Sequence, residues 1–149
     1  MCIRDSFETL TLGQPLELVI GITGKESLTA EMVARVRASW NQHKDRYESI
    51  FDQIGSLTIQ AKDAVQSGQL SDLGELMNLC HGYLNALQLS TPEIEELIHL
   101  ARINGAVGAK LSGGGGGGSV VALCPDSSNQ VARAIEKAGY KSSSVMVGS

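Results

Sequence analysis

The residues with the clearest chemical potential act through their backbone. Lys110-Leu111-Ser112 leads into six consecutive glycines, Gly113 to Gly118, and Ser119-Val120-Val121-Ala122-Leu123-Cys124 leads out. Glycine loses more backbone entropy on ordering than any other residue and brings no side chain to pack. Such a run suits a folded chain where the backbone itself is used. It can form a turn with positive φ angles, or a concave array of N–H groups that a phosphate approaches closely. Lys110 would add a point charge beside such an anion. A glycine run ending in serine is also the composition of a flexible linker. The flanks favour an ordered loop, because Val107 to Leu111 and Val120 to Cys124 are apolar, partly β-branched segments of strand type. No Gly-Lys-Ser/Thr follows the run before a helix, so this is not a Walker A loop. A strand rather than a helix follows, so the dinucleotide fingerprint does not apply either.

The side chains offer less. His43, His81 and His99 lie far apart, without metal-ligand spacing. His81 neighbours an apolar helical stripe and reads as a satisfied structural histidine rather than a cleft residue. Glu93, Glu95 and Glu96 read as solvated charge near a helix N-terminus. No nucleophile–base pair and no acid pair emerges, so no catalytic residue is assigned in this chain, and no metal ligand. Cys2, Cys80 and Cys124 are odd in number and widely spaced, which fits neither a disulfide framework nor a zinc motif. They read as reduced thiols of a soluble, cytoplasmic protein, with Cys80 and Cys124 in the core. A net charge of −4 and only six aromatic residues argue against nucleic acid as a partner. No apolar run approaches a membrane span.

The elements that position the loop follow from periodicity. Phe7 to Leu12 alternates like a strand, Gly13-Gln14-Pro15 supplies turn chemistry, and Leu16 to Thr23 reads as a second, more buried strand. A helical region starts near Ser27 or Thr29, is interrupted within Asn41 to Asp45, and ends at Ser67-Gly68. Leu73, Leu76, Met77, Cys80, Leu84 and Leu87 form the clearest helical stripe. Ser90-Thr91-Pro92-Glu93 then opens a helix closed by Asn104-Gly105. After the glycine loop and its two strands, Ser127 to Gln130 has capping-box spacing and opens a helix stopped by Gly139; Ser143 to Val147 supplies a last strand. Strands, several helices, a strand–loop–strand, a helix and a strand make an α+β fold, an antiparallel sheet with helices mainly on one face. The length of 149 residues suits one domain.

Gly108 to Ser119 resembles the third conserved motif of the GHMP kinases, in the form found in mevalonate kinases, Lys-Leu-Thr-Gly-Ala-Gly-Gly-Gly-Gly. Met77 to Pro92 resembles the helix and turn that precede that loop, and Leu18-Val19-Ile20-Gly21-Ile22-Thr23-Gly24 the strand that opens the same domain. The resemblance covers residues 7–149, in order and spacing. It implies a ferredoxin-like C-terminal domain forming one wall of a kinase cleft. Gly113, Gly114, Gly115, Gly116, Gly117 and Gly118 would lie on the nucleotide side, with Ser112 in the usual threonine position and Lys110 matching the motif. It further implies ATP and Mg²⁺ in the full-length enzyme, phosphoryl transfer to mevalonate, and homodimers when full length. Gly114 stands for the usual alanine and Ser119 for a frequent cysteine. Nothing in the chain matches the family's second motif, Pro-x-Gly-Leu-Gly-Ser-Ser-Ala. The resemblance therefore implies a fragment that lacks its N-terminal partner domain and is inactive alone, with residues 1–6 as a foreign start. The alternatives left open are another GHMP kinase half (phosphomevalonate, homoserine or sugar) and a stand-alone binding module. Valine at Gly115 and Gly116 is expected to block phosphate approach while leaving the domain folded.

Overall fold

The computed structural model describes residues 8–25 and 29–148. Four strands, β1 (Leu16–Ile22), β2 (Gly108–Ser112), β3 (Ser119–Leu123) and β4 (Lys141–Val147), form one antiparallel sheet in the order β2-β3-β1-β4. Between β1 and β2 come α1 (Thr29–Gln42), α2 (Lys44–Ser67), α3 (Leu70–Ala86) and α4 (Pro92–Ile103); α5 (Ser128–Lys137) joins β3 to β4. With α4 and α5 as its two crossovers, this is the ferredoxin-like β-α-β-β-α-β arrangement, with α1 to α3 inserted ahead of α4.

Side chains alternate across each strand, so register decides which face each one joins. Val19 lies opposite Ala122, and Ala122 opposite Ala109, while Val120 lies opposite Leu111. These residues pack beneath α4 and α5 with Ile94, Leu97, Ile98, Ala101, Val131 and Ile135, all buried. Gly21 completes that face, and a Cβ there would stand 3.2 Å from Leu97 and 3.3 Å from Ile135. The opposite strand positions, Leu16, Leu18 and Leu123, meet Ala61, Ala64 and Val65 of α2 and Leu73, Leu76 and Met77 of α3. Farther along that face, Ile22, Val145 and Val147 stay exposed.

Helix ends follow local chemistry. Gly68 closes α2 in the left-handed conformation at φ +71°, with its N–H on the Ala64 and Val65 carbonyls. Thr91 caps α4 through its hydroxyl, which accepts the Ile94 N–H, and Pro92 follows at the first turn. His43 separates α1 from α2, inside the interruption expected from the sequence.

Three sequence expectations change. Residues 8–12 form no strand, because β4 already occupies the β1 edge that a hairpin through Gly13-Pro15 would need, with Leu16 opposite Val147. The segment lies on the end of α2 instead, with the Gly13 N–H on the Val65 carbonyl and Glu8 paired to Lys62 at 2.6 Å. The capping box at Ser127 does not form. The Ser127 hydroxyl donates to the Gly105 carbonyl, and the Glu17 carboxylate accepts the Asp126 N–H and the Ser128 hydroxyl in its place. The last strand begins at Lys141, two residues before Ser143. Phe7, Ser27, Cys2 and the start at residues 1–6 lie outside the described residues.

Candidate functional site

The glycine loop joins β2 to β3 at one end of the sheet, where Ser112 pairs with Ser119. Gly113, Gly115, Gly116, Gly117 and Gly118 all have positive φ, a region that side-chain-bearing residues enter only at a cost. The glycines divide by what surrounds them. A Cβ at Gly114 would lie 2.7 Å from Thr29, at Gly115 2.6 Å from the Leu89 carbonyl oxygen, and at Gly116 2.9 Å from the Met32 sulfur. These three face the protein. Around Gly113, at φ +87°, a Cβ would meet nothing within 4 Å, and at Gly118 only the Ser112 oxygen at 4.0 Å. The accessible backbone is therefore the exposed Gly113 side. Valine at Gly115 would strike Leu89, so the expectation that the domain would fold unchanged around it does not hold.

The loop is also tied down. Its Gly116 N–H donates to the Leu89 carbonyl at 2.8 Å and its Gly118 N–H to the Lys25 carbonyl at 3.2 Å. The Gly118 carbonyl accepts both the Thr23 N–H and the Thr23 hydroxyl. Lys25 in turn pairs with Glu93 in the first turn of α4. The Gly116 and Gly118 N–H groups are thus engaged within the protein, which leaves the loop ordered and narrows where an anion can be met. Beyond Gly113 and Gly114 opens an apolar groove of about 830 Å³ between Met32, Val33, Val36 and Trp40 of α1, Phe51 and Leu89.

The other sequence candidates fall as follows. Ser112 is exposed at the mouth of the loop. Lys110 turns its ammonium to the Leu111 carbonyl at 2.9 Å. His43 and His99 are exposed and far from the loop in the chain. His81 is buried at 4% exposure with both ring nitrogens engaged, Nε2 with Glu95 at 2.9 Å and Nδ1 with the Leu111 N–H at 3.4 Å. Burial lowers its pKa more than Glu95 raises it, with Arg102 and Lys110 adding to the lowering. It is the satisfied structural histidine the sequence suggested. Cys124 is likewise inert, its thiol pushed up to about 11 by burial.

Sequence reasoning missed the device that holds β2, an edge strand with half its hydrogen-bonding groups unpaired by the sheet. Asn78 accepts the Ala109 N–H at 3.0 Å and donates to the Val107 carbonyl, and Arg102 donates to the Ala109 carbonyl and to Asn78. Helix α3 comes so close that a Cβ on Gly108 would lie 2.3 Å from the Gly74 oxygen. Only the paired glycines, Gly74 and Gly108, hint at this in the sequence.

A family model described as GHMP kinases C terminal matches residues 61–141, more than half of the chain. Over 141 residues the chain is 43% identical to mevalonate kinase of Pyrococcus horikoshii, covering 91% of this chain and 42% of that protein. Against mevalonate kinase of Methanothermobacter thermautotrophicus it is 36% identical, covering 81% and 40%. The crystal structure of L. major mevalonate kinase in complex with R-mevalonate matches with a TM-score of 0.81 at 37% identity, over 89% of this chain and 40% of that one. A Streptococcus pneumoniae phosphomevalonate kinase shares the fold at a TM-score of 0.80 and 18% identity, over 94% and 43%. The chain spans about 42% of the length of the curated relatives it matches. The antiparallel α+β fold agrees with the structural match, and the chain belongs to the GHMP kinases, as their C-terminal domain.

Proposed function

We propose that residues 7–149 form the phosphate-side wall of an ATP-dependent mevalonate kinase, with residues 1–6 outside that domain. The observation that carries this reading is the ordered loop Gly113–Gly118, tied at Leu89, Thr23 and Lys25 yet open at Gly113, in a chain 43% identical to a mevalonate kinase. Phosphoryl transfer asks a protein chiefly for positioning and for donors aimed at developing charge. Backbone N–H groups on the open side of the loop suit that task, and Ser112 at its mouth adds a hydroxyl. In this reading Lys110 and the loop meet the ATP phosphates, and mevalonate is the acceptor. Among the described residues no group of three or more His, Cys, Asp or Glu side chains is placed to hold a metal ion. Mg²⁺ is therefore assigned no ligand here, and no step is routed through it. The groups that move the hydroxyl proton are assigned to a second domain of the kind that fills the remaining length of the relatives.

The test is a phosphoryl-transfer assay with ATP, Mg²⁺ and mevalonate, run on this chain alone and on the chain joined to the N-terminal part of a mevalonate kinase. Transfer only in the joined form is expected; transfer by the chain alone would overturn the division of labour, and none in either would overturn the substrate. In the joined form Gly113→Asn, which tolerates a left-handed backbone, should leave the melting temperature near wild type. Its side chain would fill the open space at Gly113 and bar phosphate from the backbone N–H, lowering kcat/KM for ATP on the order of a hundredfold, the size of effect expected when one donor to developing charge goes unused. Unchanged kinetics would remove the loop from the phosphate site.

A further inference from the structure

We propose that His81, Glu95 and Ser90 form a positioning relay that sets the glycine loop, an inference that rests on the loop being the phosphate-side element. Each link is a polar contact between different elements. The His81 ring accepts the Leu111 N–H at Nδ1, on the strand that enters the loop. With Nδ1 accepting, the ring proton sits on Nε2 and is donated to Glu95 at 2.9 Å. The same Glu95 oxygen accepts the Ser90 hydroxyl. Ser90 follows Leu89, whose carbonyl holds the Gly116 N–H at 2.8 Å and whose Cβ lies 2.7 Å from where a Gly115 Cβ would stand. Three side chains thus join the entry of the loop to the turn that holds its middle.

Packing alone does not call for this arrangement. A buried imidazole costs stability unless both nitrogens are paired, and an apolar residue would fill the same space between α3 and α4. The fold already packs Leu84 of α3 against the cluster that holds Ile94 and Leu97 of α4. What the imidazole adds is direction. Its two nitrogens fix the distance between β2 and the first turn of α4, and Ser90 passes that distance to Leu89. The backbone at Gln88, at φ +59°, is held in the same turn by Arg35, which donates to the Gln88 carbonyl. The turn is therefore a defined platform, and the relay sets where it stands relative to Leu111.

The experiment is amide hydrogen exchange on the full 149-residue chain, comparing wild type, His81→Gln and Ser90→Ala. His81→Gln should speed exchange at Leu111 and Gly116 about tenfold, an opening free energy lower by ~1.4 kcal/mol, while Ile98 and Val131 in the core keep their rates. Ser90→Ala should speed Gly116 and leave Leu111 slow. This second variant decides the matter if His81→Gln loses its core protection. Gly116 unchanged in Ser90→Ala would overturn the relay, as would a ¹⁵N spectrum placing the His81 proton on Nδ1. MgATP added to the chain joined to the N-terminal part of a mevalonate kinase separates the two readings. Unmoved Gly113–Gly118 resonances would remove the phosphate role and leave the exchange result for the relay standing.

Discussion

The imidazole of His81 loses more from carrying charge in its buried site than it gains from Glu95, and Arg102 and Lys110 add to the penalty, so its folded pKa lies below the ordinary histidine value. The sign of the consequence follows from proton counting. Between the ordinary value and the lowered one, the unfolded chain binds a proton that the folded chain does not, so stability rises with pH through that window. The contribution is complete above about pH 6.5 and is lost as pH falls below it. Glu95 titrates lower. Burial raises its pKa, but the bonds from Ser90 and His81 outweigh burial and bring it below the usual carboxylate range. Urea midpoints at pH 7.5 and 5.5 should therefore fall further for wild type than for His81→Gln; equal falls would mean that the folded ring accepts a proton freely. At this scale the sequence was readable in part. It marked His81 as a satisfied residue, but it gave Glu95 the role of solvated helix-end charge, because its partners lie 14 residues back on α3 and beside it in the turn. Nor does a run of glycines state which members face the protein. Gly114 to Gly116 are small because Thr29, Leu89 and Met32 stand against them, a fact of the fold alone.

Among the elements, β2 is the one whose stability bears most directly on the loop. It is an edge strand only five residues long, and an uncovered edge invites pairing with other chains. Here α3 covers it, and Asn78 substitutes for a missing neighbouring strand by serving both an N–H and a carbonyl of the edge. Asn78→Ala should cost about 1–3 kcal/mol, since it strips partners from the Ala109 N–H and from the Arg102 guanidinium. The check is a shift of the urea midpoint at unchanged m, together with faster aggregation on standing; a loss under about 0.5 kcal/mol would mean water replaces the amide without penalty. Helices α3 and α4 were legible from their stripes, and α4 also from Thr91-Pro92. The segment from Phe7 to Leu12 misled because alternation reports a willingness to be a strand, whereas a strand also needs a free edge. With β3 on one side of β1 and β4 paired to it along its whole length on the other, β1 had no edge left for a hairpin with residues 8–12.

For the whole molecule, the two packed faces of the sheet are unequal, and the loop sits between a firm side and a soft one. Its firm side is the cluster under α4 and α5, where Ile94, Leu97, Val131 and Ile135 are fully buried. Its soft side is α1, which buries no residue completely although Thr29 and Met32 lie against Gly114 and Gly116. Amide exchange should follow that division. The amides of α4, α5 and β3 are expected to open only with global unfolding, whereas those of α1 should open locally and faster than those of any other described helix. A loop that meets ATP phosphates would change the second rate and not the first. Anion contact at Gly113 would add a further restraint to glycines already tied at Leu89 and Lys25, and these would then hold Thr29 and Met32 more firmly, so MgATP bound to the joined enzyme should slow exchange in the first turn of α1. If α1 exchanges as slowly as α4 without nucleotide, the apolar groove beside it is as rigid as the core. The loop's outer wall would then be set in advance, and the proposed phosphate contact would rest on preorganisation rather than on ordering at binding.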